Sequence, residues 1–114
     1  MEDCIFCKIV NKDIPSNIIY EDDKIMAFED VNKMAPVHIL VIPKDHIPSI
    51  NAIDEGNKDI IAHISVNISK LAQKLGIYDT GYRVVINCGK DGGQTVEHLH
   101  YHILGKRALT WPPG

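Results

Sequence analysis

Residues 57–75 are the one long segment in which apolar side chains recur every three or four positions, and this segment limits the folds open to the chain. The spacing predicts an amphipathic helix, and Gly76 is a natural stop for it. The other apolar segments are short, as is typical of strands. We expect strands at residues 17–21, 25–28, 38–42, 82–87 and 97–104, and a short helical turn at residues 4–10.

These elements predict an α+β fold in which a five-stranded antiparallel sheet is covered on one side by the long helix. Residues 22–24 have the turn chemistry of a hairpin, which favours antiparallel pairing of the first two strands. At 114 residues the chain is long enough for one hydrophobic core and too short for two. Because no linker, repeat or low-complexity segment divides it, we predict a single domain spanning residues 1–114.

Composition and charge argue against several classes of function. The net charge is −3 and there is no long basic run, whereas binding a nucleic-acid backbone needs clustered lysine and arginine. No apolar stretch approaches the roughly 20 residues of a membrane span, and the first residues lack the basic and apolar regions of a secretory signal. The three cysteines do not form a disulfide framework. We therefore expect a cytoplasmic protein that binds neither nucleic acid nor membrane.

His98, His100 and His102 alternate within the predicted strand at residues 97–104. Alternate side chains of a strand share one face, so the three imidazoles would line the same side of the sheet. Such a row suits catalysis, because imidazole can act as a nucleophile and can exchange protons near neutral pH. The same row could instead bind a transition metal, or it could be purely structural. The turn that precedes it favours catalysis.

That turn is a glycine-rich segment at residues 91–95. Gly92 and Gly93 can adopt backbone angles that are closed to other residues, so consecutive N–H groups can converge on an anion. Gln94 and Thr95 would add side-chain donors beside them. A glycine pair between two strands is commonly just a turn. Directly before the histidines, however, it predicts a phosphate site next to a nucleophile, which favours phosphoryl or nucleotidyl transfer.

Cys4 and Cys7 are separated by the two-residue gap that lets both sulfurs reach one tetrahedral zinc ion at about 2.3 Å. One such pair is half of a closed site. Taken alone, the pair fits equally well with two buried or redox-idle thiols. The spacing therefore raises a metal site as a hypothesis and leaves its other ligands open.

Several segments, in order along the chain, resemble one known family. The run from His98 to Leu104 has its alternating histidines, and the other matching segments are Phe28-Glu29-Asp30-Val31, Ala35-Pro36-Val37-His38, Val41-Ile42-Pro43-Lys44, Val85-Ile86-Asn87, Gly92-Gly93-Gln94-Thr95 and Trp111-Pro112-Pro113-Gly114. On these residues the chain resembles the histidine triad (HIT) family of nucleotide-binding hydrolases and transferases over nearly its whole length. Its length and C-terminal segment are most similar to the Hint branch, whose members hydrolyse nucleoside phosphoramidates and acyl-adenylates.

The resemblance implies a division of roles among the histidines. His100 would attack the α-phosphorus and form a nucleotidyl-histidine, His102 would donate to the phosphate or leaving group, and His38 would orient or polarise His100. His98 would join this catalytic set unless it binds a metal. The residues that match the family's base, ribose and phosphate contacts are Phe6, Ile9, Phe28, Asp30, Val31, Asn87, Gly93, Gln94, Thr95 and Trp111.

The resemblance also implies a structural zinc ion and a homodimer. The zinc ligands would be Cys4, Cys7, His46 and His98. The two subunits would join their sheets, and the tail that carries Trp111 would reach the partner's site, unless Trp111 simply packs on its own subunit. Two other functions stay open, a nucleotide-binding regulatory or scaffold protein with incidental hydrolysis and a dinucleoside polyphosphate hydrolase.

Overall fold

The computed structural model describes residues 3–113. The helices are α1 (Ile5–Val10) and α2 (Asp59–Lys74). The strands are β1 (Ile18–Glu21), β2 (Ile25–Glu29), β3 (Val37–Pro43), β4 (Tyr82–Ile86) and β5 (Tyr101–Gly105). A 3-10 turn at Ile50–Ala52, which was not predicted, lies between β3 and α2.

The five strands form one sheet in the order β1-β2-β3-β5-β4, and every neighbouring pair is antiparallel. The predicted α+β class and five-stranded antiparallel sheet are therefore confirmed.

α2 ends where predicted, because Gly76 adopts a left-handed φ of 74° and the next amide, of Ile77, donates back to the carbonyl of Ala72 at 2.9 Å. Among residues 3–113, no helix is long and apolar enough to cross a membrane.

The two faces of the sheet carry different cores. The face under α2 is a continuous apolar core that includes Ile39, Val41, Leu99, Tyr101 and Ile103 together with the buried side of α2. The opposite face packs against the short helix α1 in a smaller cluster. Leu99, Tyr101 and Ile103 lie under α2, whereas His98 and His100 face the other way and pack against Phe6 of α1.

The predicted strand at residues 97–104 is wrong at its beginning, because β5 starts only at Tyr101. The pairing of β3 with β5 ends at Val41 opposite Tyr101; in the same register, Ile42 would lie opposite His100 and then Pro43 opposite Leu99. Proline has no N–H to give to a neighbouring strand, and the amide of Leu99 donates instead to the carbonyl of Ile47 at 2.6 Å. His98 therefore lies in a bend and His100 in the irregular residues just before β5, and only His102 of the three is within the strand.

Candidate functional site

A cavity of about 590 Å³ opens on the α1 face of the sheet. Its apolar wall comes from α1, β2 and β3, and its polar wall comes from the end of β2, the glycine-rich turn and two histidines. It is lined by Ile5, Phe6, Ile9, Ile14, Pro15, Ser16, Phe28, Glu29, Asp30, Val31, Asn32, Leu40, Asn87, Gly93, Thr95, Val96, His100 and His102. We call this cavity the cleft. An apolar chamber that ends in convergent polar groups has the general form of a small-molecule site.

His100 is 5% exposed and is held by its own chain. Its Nδ1 lies 2.7 Å from the carbonyl oxygen of His98, and a carbonyl can only accept, so Nδ1 carries the proton and donates it. The neutral ring then has its lone pair on Nε2. The edge of the Phe6 ring packs against the imidazole with 5.1 Å between ring centroids. The chain therefore fixes the ring, and in its neutral form the nitrogen with the lone pair is Nε2, on a residue that lines the cleft.

His38 and His102 form a second hydrogen-bonded arrangement, which we call the histidine chain. The amide of Met34 donates to His38 Nδ1 at 3.0 Å, so the proton of neutral His38 is on Nε2. That Nε2 lies 2.9 Å from His102 Nδ1 and 3.3 Å from the Asp30 carboxylate. His102 Nδ1 consequently accepts, and neutral His102 carries its proton on Nε2. A histidine that lines the cleft thus presents a donor beside the ring of His100, with 5.0 Å between the two ring centroids.

Burial keeps the histidine chain neutral. Desolvation is the main reason that the pKa of His102 falls to about 4, and the charges of protonated His100 and His38 would add to the effect. Desolvation likewise lowers the pKa of His38, against the carboxylate of Asp30, which acts to raise it. Both rings are therefore uncharged near neutral pH, as the tautomer assignment requires.

The glycine-rich turn is fixed by its own hydrogen bonds. Asn87 Nδ2 donates to the carbonyl of Gly92 at 2.7 Å. Gln94 accepts from the amide of Gly89 at 3.0 Å and donates to the carbonyls of Pro48 and Val96 at 2.8 Å and 3.0 Å. The side chain of Gln94 therefore braces the turn from behind and does not line the cleft.

Both glycines of the turn are required by its shape. A Cβ on Gly92 would lie 2.3 Å from the carbonyl oxygen of Cys88, and Gly93 adopts a left-handed φ of 77°. Gly93 and Thr95 line the cleft, in keeping with the anion-binding hypothesis for this segment.

The structure brings most of the predicted nucleotide contacts to one place. Phe6, Ile9, Phe28, Asp30, Val31, Asn87, Gly93 and Thr95 all line the cleft. Gln94 lies behind the turn, and Trp111 is 81% exposed in the C-terminal segment. Among lining residues that were missed, Ile14, Pro15 and Ser16 belong to the irregular segment after α1, where no periodicity marks a residue as inward-facing.

A cluster of two cysteines and two histidines lies beside the cleft, and we call it the cysteine–histidine cluster. His98 Nδ1 is 3.3 Å from the sulfur of Cys4 and 3.6 Å from that of Cys7, and His46 Nδ1 is 3.3 Å from the Cys7 sulfur. One ligand atom from each of the four residues lies within 4.8 Å of the others. Two sulfurs and two imidazole nitrogens around one point fit a tetrahedral zinc ion.

The orientation of His98 supports the same fit. Its Nε2 donates to the carbonyl of Pro43 at 2.8 Å, so the lone pair of the neutral ring is on Nδ1, which faces both sulfurs. Burial is also the largest reason that the pKa of His98 is lowered and that of Cys7 is raised, with the hydrogen bond from Cys4 adding to the shift of Cys7. A bound cation would reverse the effect on the thiol, because metal ligation stabilises the thiolate.

The histidines of the alternating run do not converge on a single metal. His98 belongs to the cysteine–histidine cluster, whereas His102 groups with His38 and Asp30. In that second group the proton on His38 Nε2 occupies the position a metal would need, because the Met34 amide already faces Nδ1. Within residues 3–113, the proposed alternative of a metal bound by all three imidazoles of the run finds no support.

Known proteins resemble this chain over nearly its full length. Residues 11–109 match the profile of the HIT domain family. A crystal structure of a HIT family hydrolase from Legionella pneumophila is 46% identical, with a TM-score of 0.96, and covers 98% of this chain and 100% of that one. A histidine triad protein from Clostridium difficile is 54% identical, with a TM-score of 0.93 and 97% of each chain covered. An uncharacterised HIT-like protein of Synechocystis is 49% identical over 99% of this chain and 98% of its own.

Proposed function

The chain belongs to the HIT domain family, and from this premise we propose that it hydrolyses nucleoside 5′-phosphoramidates and acyl-adenylates through a nucleotidyl intermediate on His100. The family membership and the hydrolase neighbours support a nucleotide-binding hydrolase in general. The narrower proposal of substrate and intermediate is argued from the geometry of the cleft.

The observation that carries the proposal is the bond between His100 Nδ1 and the carbonyl of His98, at 2.7 Å. In the neutral ring this bond places the single proton on Nδ1 and leaves the lone pair on Nε2, the nitrogen that would attack phosphorus. Gly93 and Thr95 line the same cleft and would bind the phosphate oxygens through a backbone N–H and a hydroxyl. The carboxylate of Asp30 would accept the ribose hydroxyls, and the apolar wall with Phe6 and Phe28 would hold the base.

In the first step, the lone pair of His100 Nε2 forms a bond to the α-phosphorus while the bond to the leaving group breaks. A carboxylate leaves as the anion, and a leaving nitrogen takes up a proton from solvent and departs as the neutral amine. His102 donates a hydrogen bond from Nε2 to the leaving atom, or to a phosphate oxygen beside it. In the second step, a water oxygen attacks the phosphorus and the bond to His100 breaks. Overall one water is consumed: its hydroxyl stays on phosphorus and its proton goes to solvent, which replaces the proton that a released amine took up in the first step.

The test is incubation with adenosine 5′-phosphoramidate, rapid acid-free quenching and peptide mass analysis. We expect a nucleotidyl adduct on the peptide that holds His100, and adenosine monophosphate as the product. An adduct on another residue, or sustained turnover by the His100→Ala variant, would refute the assignment. A matched incubation with a dinucleoside polyphosphate separates the related hydrolase activity, and tight nucleotide binding without turnover of either compound would favour the regulatory alternative.

We also propose that the cysteine–histidine cluster holds one structural zinc ion. The four ligand atoms would close the coordination sphere, so the ion would pin α1 to the sheet and leave no open position for substrate. When bound, zinc would fix the ring of His98 and, through its carbonyl, the ring of His100. Metal analysis of protein purified without added zinc should give about one zinc per chain. A value near zero, together with an unchanged Cys4→Ser variant, would overturn this proposal.

Finally, we propose a homodimer formed through the β4 edge of the sheet. β4 is the last strand in the sheet order, and its Val84 and Ile86 are each 38% exposed. An open strand edge with apolar side chains is a template for pairing with a second copy. Trp111, largely exposed in one subunit, would be covered in this dimer. Light scattering should give twice the chain mass for the wild type and the monomer mass for Val84→Lys; a monomeric wild type would contradict the proposal.

A further inference from the structure

We infer that Arg107 is a positioning residue for the catalytic histidines. Its guanidinium holds the backbone of Met34, and the Met34 amide acts together with the Asp30 carboxylate to set which nitrogens of His38 and His102 carry their protons. The inference rests on the proposed function only for its effect on turnover, because the placement of the protons is a separate, measurable property.

The segment that connects β2 to β3 is firmly held at its base and weakly held at its tip. At the base, the amide of Asp30 donates to the carbonyl of His38 at 3.0 Å, and the Asp30 carboxylate accepts from the amide of Asn32 at 2.8 Å. At the tip, Met34 is 62% exposed, so apolar burial contributes little to fixing it. A backbone group at such a tip needs a separate contact to keep a defined direction.

Arg107 supplies that contact. Its Nε donates to the carbonyl of Met34 at 2.9 Å, and its Nη1 donates to the carbonyl of Ala108 at 3.2 Å. Lys106, directly before it, adopts a left-handed φ of 70°, which is unfavourable for a residue with a Cβ and turns the chain sharply after β5. Val37 pairs with Gly105, so this turn lies beside the point where the β2–β3 segment enters the sheet. The turn therefore aims the guanidinium at Met34.

The two polar groups of Met34 lie on opposite sides of its Cα and have different partners. The carbonyl is held by Arg107, and the amide donates to His38 Nδ1 at 3.0 Å. Fixing the carbonyl restricts rotation about the Met34 backbone and so keeps the amide directed at the imidazole. His38 is only 3% exposed, and water has little access to replace that donor.

Loss of the Met34 amide would leave the Asp30 carboxylate, 3.3 Å from His38 Nε2, to favour a proton on that nitrogen without help at Nδ1. A fraction of the molecules would then reverse the histidine chain. His38 could then carry its proton on Nδ1 and present a lone pair on Nε2 to His102. Because the two rings are 2.9 Å apart at these nitrogens, His102 would have to place its proton on Nδ1 to keep the hydrogen bond. Its Nε2 would become an acceptor, which cannot donate to a leaving group in the cleft. No atom is added or removed; the protons of the two rings only change places.

The chain offers a matched control. It has two arginines, and the other, Arg83, also donates to a backbone carbonyl, that of Thr110 at 2.8 Å. Arg83 and Arg107 line one small cavity, so their charges act from the same region. Among residues 3–113, Arg83 has no hydrogen bond to the β2–β3 segment. Replacing each arginine by methionine removes the same charge and keeps most of the apolar stem, but only one replacement releases Met34.

The test is ¹⁵N correlation spectroscopy of the histidine rings in full-length wild type, Arg107→Met, Arg107→Lys and Arg83→Met. In the wild type and in Arg83→Met, we expect pyridine-type signals from Nδ1 and protonated signals from Nε2 for both His38 and His102. In Arg107→Met the pattern should shift towards the reverse, with faster hydrogen exchange of the Met34 amide. Arg107→Lys, which keeps the charge and one donor, should be intermediate. Unchanged ring signals in Arg107→Met, or the same change in Arg83→Met, would overturn the inference.

Turnover of adenosine 5′-phosphoramidate gives the second measurement. For Arg107→Met we expect kcat to fall roughly three- to tenfold, the scale of one lost hydrogen bond, with little change in KM. Arg83→Met should match the wild type. If the ring protons of Arg107→Met are reversed and its kcat is unchanged, the positioning of Met34 by Arg107 stands, but the role of His102 as donor to the leaving group is overturned. Failure of the wild type to turn over the substrate would refute the proposed function. The ¹⁵N signals of the histidine rings would still decide whether Arg107 positions Met34.

Discussion

The cysteine–histidine cluster and the histidine chain use the same side chain on the same face of one sheet, yet they prepare it for opposite tasks. In the cysteine–histidine cluster, His98 Nε2 donates a hydrogen bond to the carbonyl of Pro43, and the lone pair on Nδ1 faces the two sulfurs. In the histidine chain, His38 Nδ1 accepts a hydrogen bond from the amide of Met34, and His38 Nε2 donates to His102. One backbone hydrogen bond to each ring makes the difference between a ligand and a donor.

The two regions also differ in closure. The ligand atoms of the cluster face one another, whereas His100 and His102 line the cleft. The cysteine–histidine cluster and the cleft are linked through the backbone, because the carbonyl of His98 accepts from His100 Nδ1 and so orients that ring. The comparison predicts that changes in the cluster act mainly on stability and changes in the cleft mainly on turnover.

The largest effect should come from His100→Ala. Without the nitrogen that attacks phosphorus, kcat/KM for adenosine 5′-phosphoramidate should fall at least about 10³-fold, while the thermal midpoint changes little by comparison. Steady-state kinetics and a thermal scan on the same preparation measure both. If kcat/KM of His100→Ala falls by less than about tenfold, the prediction that changes in the cleft act mainly on turnover is wrong.

The second effect should be on stability. The double variant Cys4→Ser, Cys7→Ser should lower the free energy of unfolding by about 3 kcal/mol or more, because a structural zinc site contributes directly to folding. Cys88→Ser is the control, since Cys88 is only partly buried and lies outside the cluster. Chelator titration followed by urea unfolding is the measurement. Equal stability of all three proteins would contradict a structural role for the cluster.

A third effect should appear in the pH dependence of stability. The pKa of His102 is about 4 in the folded chain, and an unfolded histidine titrates near 6.5. The unfolded state therefore binds the proton more readily, and the free energy of unfolding should fall as the pH drops from about 6.5 towards 4. His38, with a lowered pKa, contributes in the same direction. Urea unfolding of His102→Asn should show a weaker decline over this range; an identical decline would contradict the buried, neutral ring.

The smallest effect should come from His63, which belongs to neither region. Its Nε2 lies 2.7 Å from the carboxylate of Asp22, and it ties α2 to the β1–β2 turn. Asp22 has three other donors, including the hydroxyl of Tyr20 at 2.7 Å. His63→Ala should therefore cost about 1 kcal/mol of stability in urea unfolding. Turnover and zinc content should match the wild type, and a loss of either would mean that the two regions do not contain all the functional histidines.

Much of the fold could be predicted from local pattern. Helical spacing predicted α2, and Gly76 marked its end because the position requires a left-handed φ. Alternation correctly separated the histidines from the apolar residues between them. The start of β5 could not be predicted locally, because the amide of Leu99 donates to the carbonyl of Ile47, which is distant along the chain and comes near Leu99 only when the chain folds.

The candidate site divides in the same way. Residue types and family resemblance pointed to most of the cleft, but the segment around Ile14 and Ser16 carried no signal, and Gln94 turned out to brace the turn. His63 could be separated from the other histidines by its position on the helix, and the structure pairs it with Asp22.

The sequence by itself determined the strand and helix periods, the family and the set of imidazoles and thiols. Only the tertiary structure decided where each imidazole keeps its proton. That choice depends on backbone groups that folding brings to each ring. For His98 the group is the carbonyl of Pro43. For His38 it is the amide of Met34, whose carbonyl accepts from Arg107. Hydrogen bonding acts over about 3 Å, so a ring's tautomer is fixed by whichever donor or acceptor folding brings within that distance.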